Sequence, residues 1–217
     1  MVLRTILSAA LCSLAFLAPT AVPARAETPI NIVALGDSLT AGYGLPDKDG
    51  FVPRLQAALA AKGFSVNIQN AGVSGDTASD GLARLDWSVP DNTDAVIVEL
   101  GANDMLRAIK PQVTREALDA ILRRLKERHI AVLLCGMRAA PNLGGDYAAA
   151  FEPIYPELAA KYGVLLYPFF PDGAAADLSL TQRDGLHPSA KGVDVIVGRV
   201  LPKVEELIAA VRTRRPS

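Results

Sequence analysis

Five short runs of apolar, β-favouring residues recur along this chain, at 30–35, 66–68, 95–100, 130–137 and 164–167, and longer stretches with helical spacing separate them. That alternation between two periods constrains the fold more than any other feature of the sequence. Parallel strands need long crossover connections, usually helical, and a run such as Ala95-Val96-Ile97-Val98, with no polar alternation, fits burial on both faces of a sheet. The helical period is clearest in Leu118, Ile121, Leu122 and Leu125, and again in Val193, Ile196, Val197, Val200, Leu201, Val204, Leu207 and Ile208. The expectation is a three-layer, doubly wound α/β domain built on a five-stranded parallel sheet. No internal repeat or low-complexity linker interrupts the pattern, so residues 27–217 are expected to form a single domain.

Residues 1–26 have the organisation of a cleaved secretory signal: Arg4 as a small positive region, an apolar stretch over 6–18, helix-breaking Pro19 and Pro23, and Ala24-Arg25-Ala26 as a small-x-small cleavage site. The apolar run stops at Pro19, well short of the ~20 residues that a spanning helix needs. A periplasmic or secreted protein is expected, with no stable membrane insertion after cleavage. The 22 Lys and Arg residues are balanced by 23 Asp and Glu, which argues against a nucleic acid partner. Of the two cysteines, Cys12 leaves with the signal and Cys135 lies inside the apolar run from Ile130, where it reads as a core residue rather than a catalytic thiol. The histidines are His129 and His187 alone, so a metal site is hard to assemble and no metal or cofactor is expected.

Small, polar, glycine-containing blocks follow the strand-like runs: Gly36-Asp37-Ser38-Leu39 after the first, Val73-Ser74-Gly75-Asp76-Thr77 after the second and Gly101-Ala102-Asn103-Asp104 after the third. Open α/β sheets bind ligands at that edge. The fifth run leads through a long loop to Asp184-Gly185-Leu186-His187-Pro188, just before the last helical stretch. A serine hydroxyl needs a neutral imidazole to take its proton and an acid to orient that imidazole, and Asp184 and His187, three residues apart in one turn, suit those two tasks. Ser38 could instead cap a short helix, and Asp184 could be a turn residue. Asp37 and Asp104 read as acids that brace their own loops by local hydrogen bonds, Asp76 and Thr77 as caps of the following helix, His129 as a helix C-terminal or surface residue, and Trp87 as packing.

These ordered blocks, together with Ile154-Tyr155-Pro156-Glu157-Leu158, resemble the SGNH, or GDSL, hydrolase family over essentially the whole of 27–217, and most closely its branch of secreted thioesterases, lysophospholipases and arylesterases. The resemblance implies a flavodoxin-like strand order, Ser38 as nucleophile, Asp184 and His187 as its triad partners, and Ser38, Gly75 and Asn103 as oxyanion-hole donors. One departure is Ala102, where close relatives have glycine. The implied activity is hydrolysis of small-molecule acyl esters and thioesters through an acyl-serine intermediate, by a monomer. Met105, Leu106 and Ile109 could form an apolar lip over an acyl chain or could equally be core. Pro141 and Asn142, on a second loop ahead of Gly144-Gly145, are the other expected substrate contacts. Within the same chemistry the alternative is a carbohydrate O-deacetylase with a shallow polar site. Outside that chemistry it is a non-catalytic binding module, which loss of Ser38, Asn103 or His187 would favour.

Overall fold

The computed structural model describes residues 28–175 and 177–214, so the expected signal over 1–26 lies outside the described residues. Five strands, β1 (Ile30–Gly36), β2 (Val66–Gly72), β3 (Ala95–Glu99), β4 (Ala131–Cys135) and β5 (Leu165–Tyr167), pair in parallel in the order β2-β1-β3-β4-β5. The helices are α1 (Ser38–Ala41), α2 (Phe51–Ala61), α3 (Ala78–Ala83), α4 (Leu85–Ser88), α5 (Ala102–Leu106), α6 (Pro111–Glu127), α7 (Gly145–Phe151), α8 (Ile154–Tyr162) and α9 (Ala190–Arg214). Helices α2 and α9 pack together on one face of the sheet, and α3, α6 and α8 cover the other. This is the three-layer, doubly wound arrangement expected from the alternating periods, with β1 in the second position, between β2 and β3.

The central strands β3 and β4 are buried at every residue, which explains their uninterrupted apolar runs. Edge strand β2 instead carries Asn67, Gln69 and Asn70 on exposed positions and runs on to Gly72, beyond its short apolar segment. Helix α6 shows how pattern becomes packing. Pro111 opens it, where a missing N–H costs nothing, and Thr114, Ala117, Leu118, Ile121, Leu122 and Leu125 turn one face to the core. Arg124 and Lys126 lie in its last turn, where cations offset the helix dipole, and His129 closes it in a left-handed conformation (φ 57°) with its N–H on the Lys126 carbonyl. Leu55, Leu59, Val200, Val204, Leu207 and Ile208 fill the opposite layer.

The strands end together. Gly36 stands level with Gly72 on one side and Glu99 on the other, Glu99 with Cys135, and Cys135 with Tyr167. Two glycines in this row let the chain after β1 fold back over the sheet edge: a Cβ on Gly72 would collide with the Ala41 backbone, and one on Gly36 with the Thr40 side chain. The Gly72 contact is with backbone, which cannot rotate away. Gly72→Ala is therefore expected to destabilise the protein by ~1–3 kcal/mol, measured as a lowered denaturant midpoint; an unchanged midpoint would mean that α1 has room to move off the sheet edge.

Candidate active site

Ser38 is the first residue of α1, immediately past the end of β1. Asp37, at the N-cap, accepts the Leu39 N–H at 3.0 Å, and Gly42 ends the helix after four residues in a left-handed conformation (φ 81°). The strand-to-helix turn leaves the Ser38 side chain partly exposed at the sheet edge. Its Oγ lies 2.9 Å from His187 Nε2, and His187 Nδ1 lies 2.7 Å from Asp184 Oδ2. The other oxygen of Asp184 accepts the backbone N–H groups of Leu186 (2.9 Å) and His187 (3.0 Å). Asp184 is thus a turn residue and a partner of the imidazole at once. Hydrogen bonds from the His187 ring and from those two N–H groups hold its carboxyl down to about 2, so it is a carboxylate at every working pH. The Tyr43 ring packs on the imidazole, with centroids 4.6 Å apart.

The loops after β2 and β3 converge on the same spot because β1 lies between those strands. Asn103, on α5, donates from Nδ2 to Asp37 Oδ2 and to the Asp76 carbonyl, both at 3.0 Å. Gly75 adopts φ 90°, a left-handed conformation that favours glycine, while the space around it would admit a Cβ. Among the described residues, the N–H groups of Ser38 and Gly75 have no hydrogen-bond acceptor. They are free donors beside a serine hydroxyl, flanked by an amide. Gly101 (φ 112°) starts α5 against Tyr155, whose hydroxyl donates to the Leu100 carbonyl at 3.0 Å.

Three buried polar residues that local sequence patterns did not single out hold these loops. Arg84, 7% exposed, donates to Asp76 Oδ2 (2.6 Å), the Gly36 carbonyl (2.9 Å) and Ser88 Oγ (3.0 Å), and so ties the loop after β2 to the end of β1. Asp76 is therefore an ion-pair partner rather than a helix cap; Thr77 alone caps α3, in a reciprocal box with Asp80. Thr114 donates to Asp104 Oδ1 at 2.8 Å while Asp104 Oδ2 accepts the Ala78 N–H at 2.8 Å, joining α5, α6 and α3. Glu99, fully buried, accepts the Thr40 hydroxyl (2.7 Å) and the Asp37 N–H (3.3 Å) through one oxygen, and its other oxygen has no partner. Asp37 braces its own loop through the Leu39 N–H and reaches Asn103 as well, whereas the Asp104 carboxylate bonds only across elements rather than locally. The available signal was the charged residue at the end of an apolar strand.

Burial pushes Glu99 well above the usual carboxylate range, reinforced by the neighbouring Asp37, and pushes Asp37 up to about 6. Two carboxyls in one desolvated space do not both ionise readily. Cys135, level with Glu99 and fully buried, has its thiol raised far out of the reactive range by burial, in keeping with a core role.

The expected substrate contacts are placed less tightly. Leu106 is 52% exposed, Met105 packs against the core, and Ile109 is half-buried with its carbonyl accepting the Tyr147 hydroxyl at 2.9 Å. Arg107 donates to the Gly75 carbonyl at 2.7 Å, bridging this loop to the one after β2. Pro141 and Asn142 are exposed on a single 3-10 turn (Pro141–Leu143) ahead of α7. Cavities of about 420 and 470 Å³ are lined by residues such as Lys126, His129 and Tyr162, and Arg115, Asp119 and Glu157, so neither includes Ser38, Asn103 or His187. Trp87 is corrected: it is 74% exposed on α4 rather than packed. No helix among the described residues is long and apolar enough to cross a membrane.

A serine, an imidazole and a carboxylate lie in line at the C-terminal edge of a five-stranded parallel sheet, an arrangement in which the imidazole can accept the hydroxyl proton. The profile of the GDSL-like lipase/acylhydrolase family matches residues 34–195, and the chain belongs to that family. An arylesterase of Vibrio mimicus is 37% identical over 166 residues, 76% of this chain and 83% of the relative. The thioesterase 1/protease 1/lysophospholipase L1 of Escherichia coli (strain K12) is 35% identical over 185 residues, 85% of this chain and 88% of the relative. Among solved structures, AlinE4, an SGNH-hydrolase family esterase, superposes with a TM-score of 0.70 at 44% identity, covering 83% of this chain and 97% of its own.

The buried carboxyl pair sets a sign for the pH dependence of stability. Glu99 is held above its unfolded value, so between the two values the native state keeps a proton that the unfolded chain releases, and stability falls as pH rises through that window. Glu99→Gln removes this group from the titration while keeping an acceptor for Thr40 and Asp37. The expected outcome is a variant whose stability relative to the parent improves steadily from pH 5 to 8 in denaturant unfolding; parallel curves would show Glu99 to be ionised in the native protein.

Proposed function

We propose that the protein hydrolyses carboxylic esters and thioesters through an acyl-serine intermediate. The observation that carries this reading is the unbroken line Ser38 Oγ to His187 Nε2 (2.9 Å) to Asp184 (2.7 Å), with free N–H donors beside the serine. His187 takes the Ser38 proton as Oγ attacks the acyl carbonyl, and the charged Asp184 steadies the imidazolium that forms. The tetrahedral oxyanion is received by the N–H groups of Ser38 and Gly75 and by Asn103. Both amide hydrogens of Asn103 are engaged in the free protein, one on the Asp37 carboxylate and one on the neutral Asp76 carbonyl. A charged oxyanion is the stronger acceptor, so the second bond exchanges to it while Asp37 keeps the amide in place. His187 then returns the proton to the leaving alcohol or thiol, and water repeats the sequence on the acyl enzyme. The chemistry assigns no role to a metal or cofactor.

The acyl chain is assigned to the loop of Leu106 and Ile109, with Met105 behind it and the Pro141-Asn142 turn as the facing wall. Leu106 stands exposed beside Asn103, an unburied apolar side chain whose contact with a chain removes area from water. Residues 1–26 are assigned as a cleaved signal and 27–217 as one exported catalytic domain acting as a monomer.

Ser38→Ala is expected to fold normally and to lose both fluorophosphonate labelling and ester hydrolysis; full turnover in the folded variant would remove Ser38 from the reaction. Asn103→Ala is expected to slow turnover ~100–1,000-fold through loss of one oxyanion donor, and a change below about threefold would place Asn103 outside the hole. Replacing Leu106 and Ile109 together by alanine is expected to lower the ratio of octanoyl to acetyl p-nitrophenyl ester hydrolysis by about tenfold or more. The same ratio in variant and parent would move the acyl site elsewhere, or point to a short-chain deacetylase.

A further inference from the structure

Asp184 and His187 sit on a short hairpin of their own. Thr181 bridges Pro188 in antiparallel fashion, the Gln182 N–H donates to the His187 carbonyl at 2.7 Å, and the Ser189 N–H donates to the Leu180 carbonyl at 2.7 Å. Gly185 turns the chain at φ 70°, with its N–H on the Gln182 carbonyl at 3.0 Å. These bonds fix the acid against the imidazole without reference to Ser38, which follows β1, 149 residues away in sequence. Something has to hold the hairpin at the right distance from the serine.

The Gln182 side chain spans that gap. Its Nε2 donates to the Tyr43 carbonyl at 2.7 Å and to the Pro188 carbonyl at 3.1 Å, which uses both amide hydrogens. Tyr43 in turn donates its N–H to the Ser38 carbonyl at 3.1 Å. A closed circuit therefore runs from Ser38 through Tyr43 and Gln182 to Pro188 and His187, and returns through the contact between imidazole and serine hydroxyl. The Gln182 Oε1 rests against Gly44, which adopts φ 74° and where any Cβ would collide with that oxygen. The site thus fits a planar amide of this length, with donors toward two carbonyls. The other contact across the gap, the Tyr43 ring on the His187 ring, fills space but lacks directional bonds that could set a distance.

We propose that Gln182 is a positioning residue for the reaction, a clamp that sets the separation of His187 Nε2 and Ser38 Oγ without touching substrate. This rests on the reading of Ser38, His187 and Asp184 as the catalytic triad. A misplacement of about 1 Å between reacting groups costs on the order of 100-fold in rate, so loss of the clamp affects chemistry far more than binding. Gln182→Glu keeps the volume but turns an acceptor toward two carbonyl oxygens. Gln182→Met keeps the length and removes both donors.

The test compares these two variants with the parent and with Ser38→Ala. The readouts are the folded fraction by circular dichroism, the steady-state constants on p-nitrophenyl acetate, and the rate of phosphonylation by a fluorophosphonate, all expressed per folded molecule. For both Gln182 variants kcat and the phosphonylation rate are expected to fall on the order of 10–100-fold, with KM within about threefold of the parent. Rates per folded molecule equal to the parent's would overturn the clamp, including the case in which total activity falls only because less protein folds. A raised KM with unchanged kcat would overturn it as well, since Gln182 would then contact substrate. Ser38→Ala separates the two readings: turnover retained there defeats the triad itself, whereas an inactive Ser38→Ala beside parent-like Gln182 variants defeats the clamp alone.

Discussion

Parallel pairing sends every strand of this sheet out on the same side, and the position of β1 between β2 and β3 decides which loops meet there. The loop of Ser38 is flanked by the loops of Gly75 and Asn103 because of that order and for no local reason. The level row Gly72, Gly36, Glu99, Cys135 and Tyr167 then acts as a floor on which the loops stand. Small residues in the row keep the floor low enough for α1 to lie across it, and so bring the serine hydroxyl to the edge rather than above it.

Polar burial in this protein is concentrated under the site. Asp37, Arg84, Glu99, Asp104 and Thr114 are each less than a tenth exposed; the first four bond between loops that meet at Ser38, and Thr114 anchors Asp104 from α6. Desolvating such groups opposes folding, and a core of apolar side chains in their place would be at least as stable. What they supply is direction: a carboxylate that aims the Asn103 amide, and a guanidinium that holds the loop after β2 against the end of β1. The orphaned oxygen of Glu99 is consistent with this ordering of priorities, since only half of that carboxyl is used.

Much of this architecture is legible in the sequence. All five strands fall on the apolar runs, because strands covered on both faces have no reason to alternate. The exception in extent is β2, whose polar outer positions Asn67, Gln69 and Asn70 hide four further residues of strand. Helices α1, α4 and α5, at four or five residues, are too short to display a helical period, so their existence was not readable from pattern. Ser38, Gly75, Asn103, Asp184 and His187 came from contiguous motifs and were singled out, whereas Tyr43, whose ring packs on the imidazole, and Thr114, which holds Asp104, were not. Arg84, Glu99 and Gln182 were not, because their partners lie up to 139 residues away and only the fold brings them near. Trp87 misled for the converse reason: a large aromatic side chain is a core residue on average, but on the single turn of α4 Leu85 and Ser88 take the buried positions and Trp87 faces solvent.

The Asp184–His187 hairpin has a kinematic consequence. Acid and imidazole are bonded to each other within a few residues, so a displacement of the hairpin would carry both together and change their distance to the serine rather than to each other.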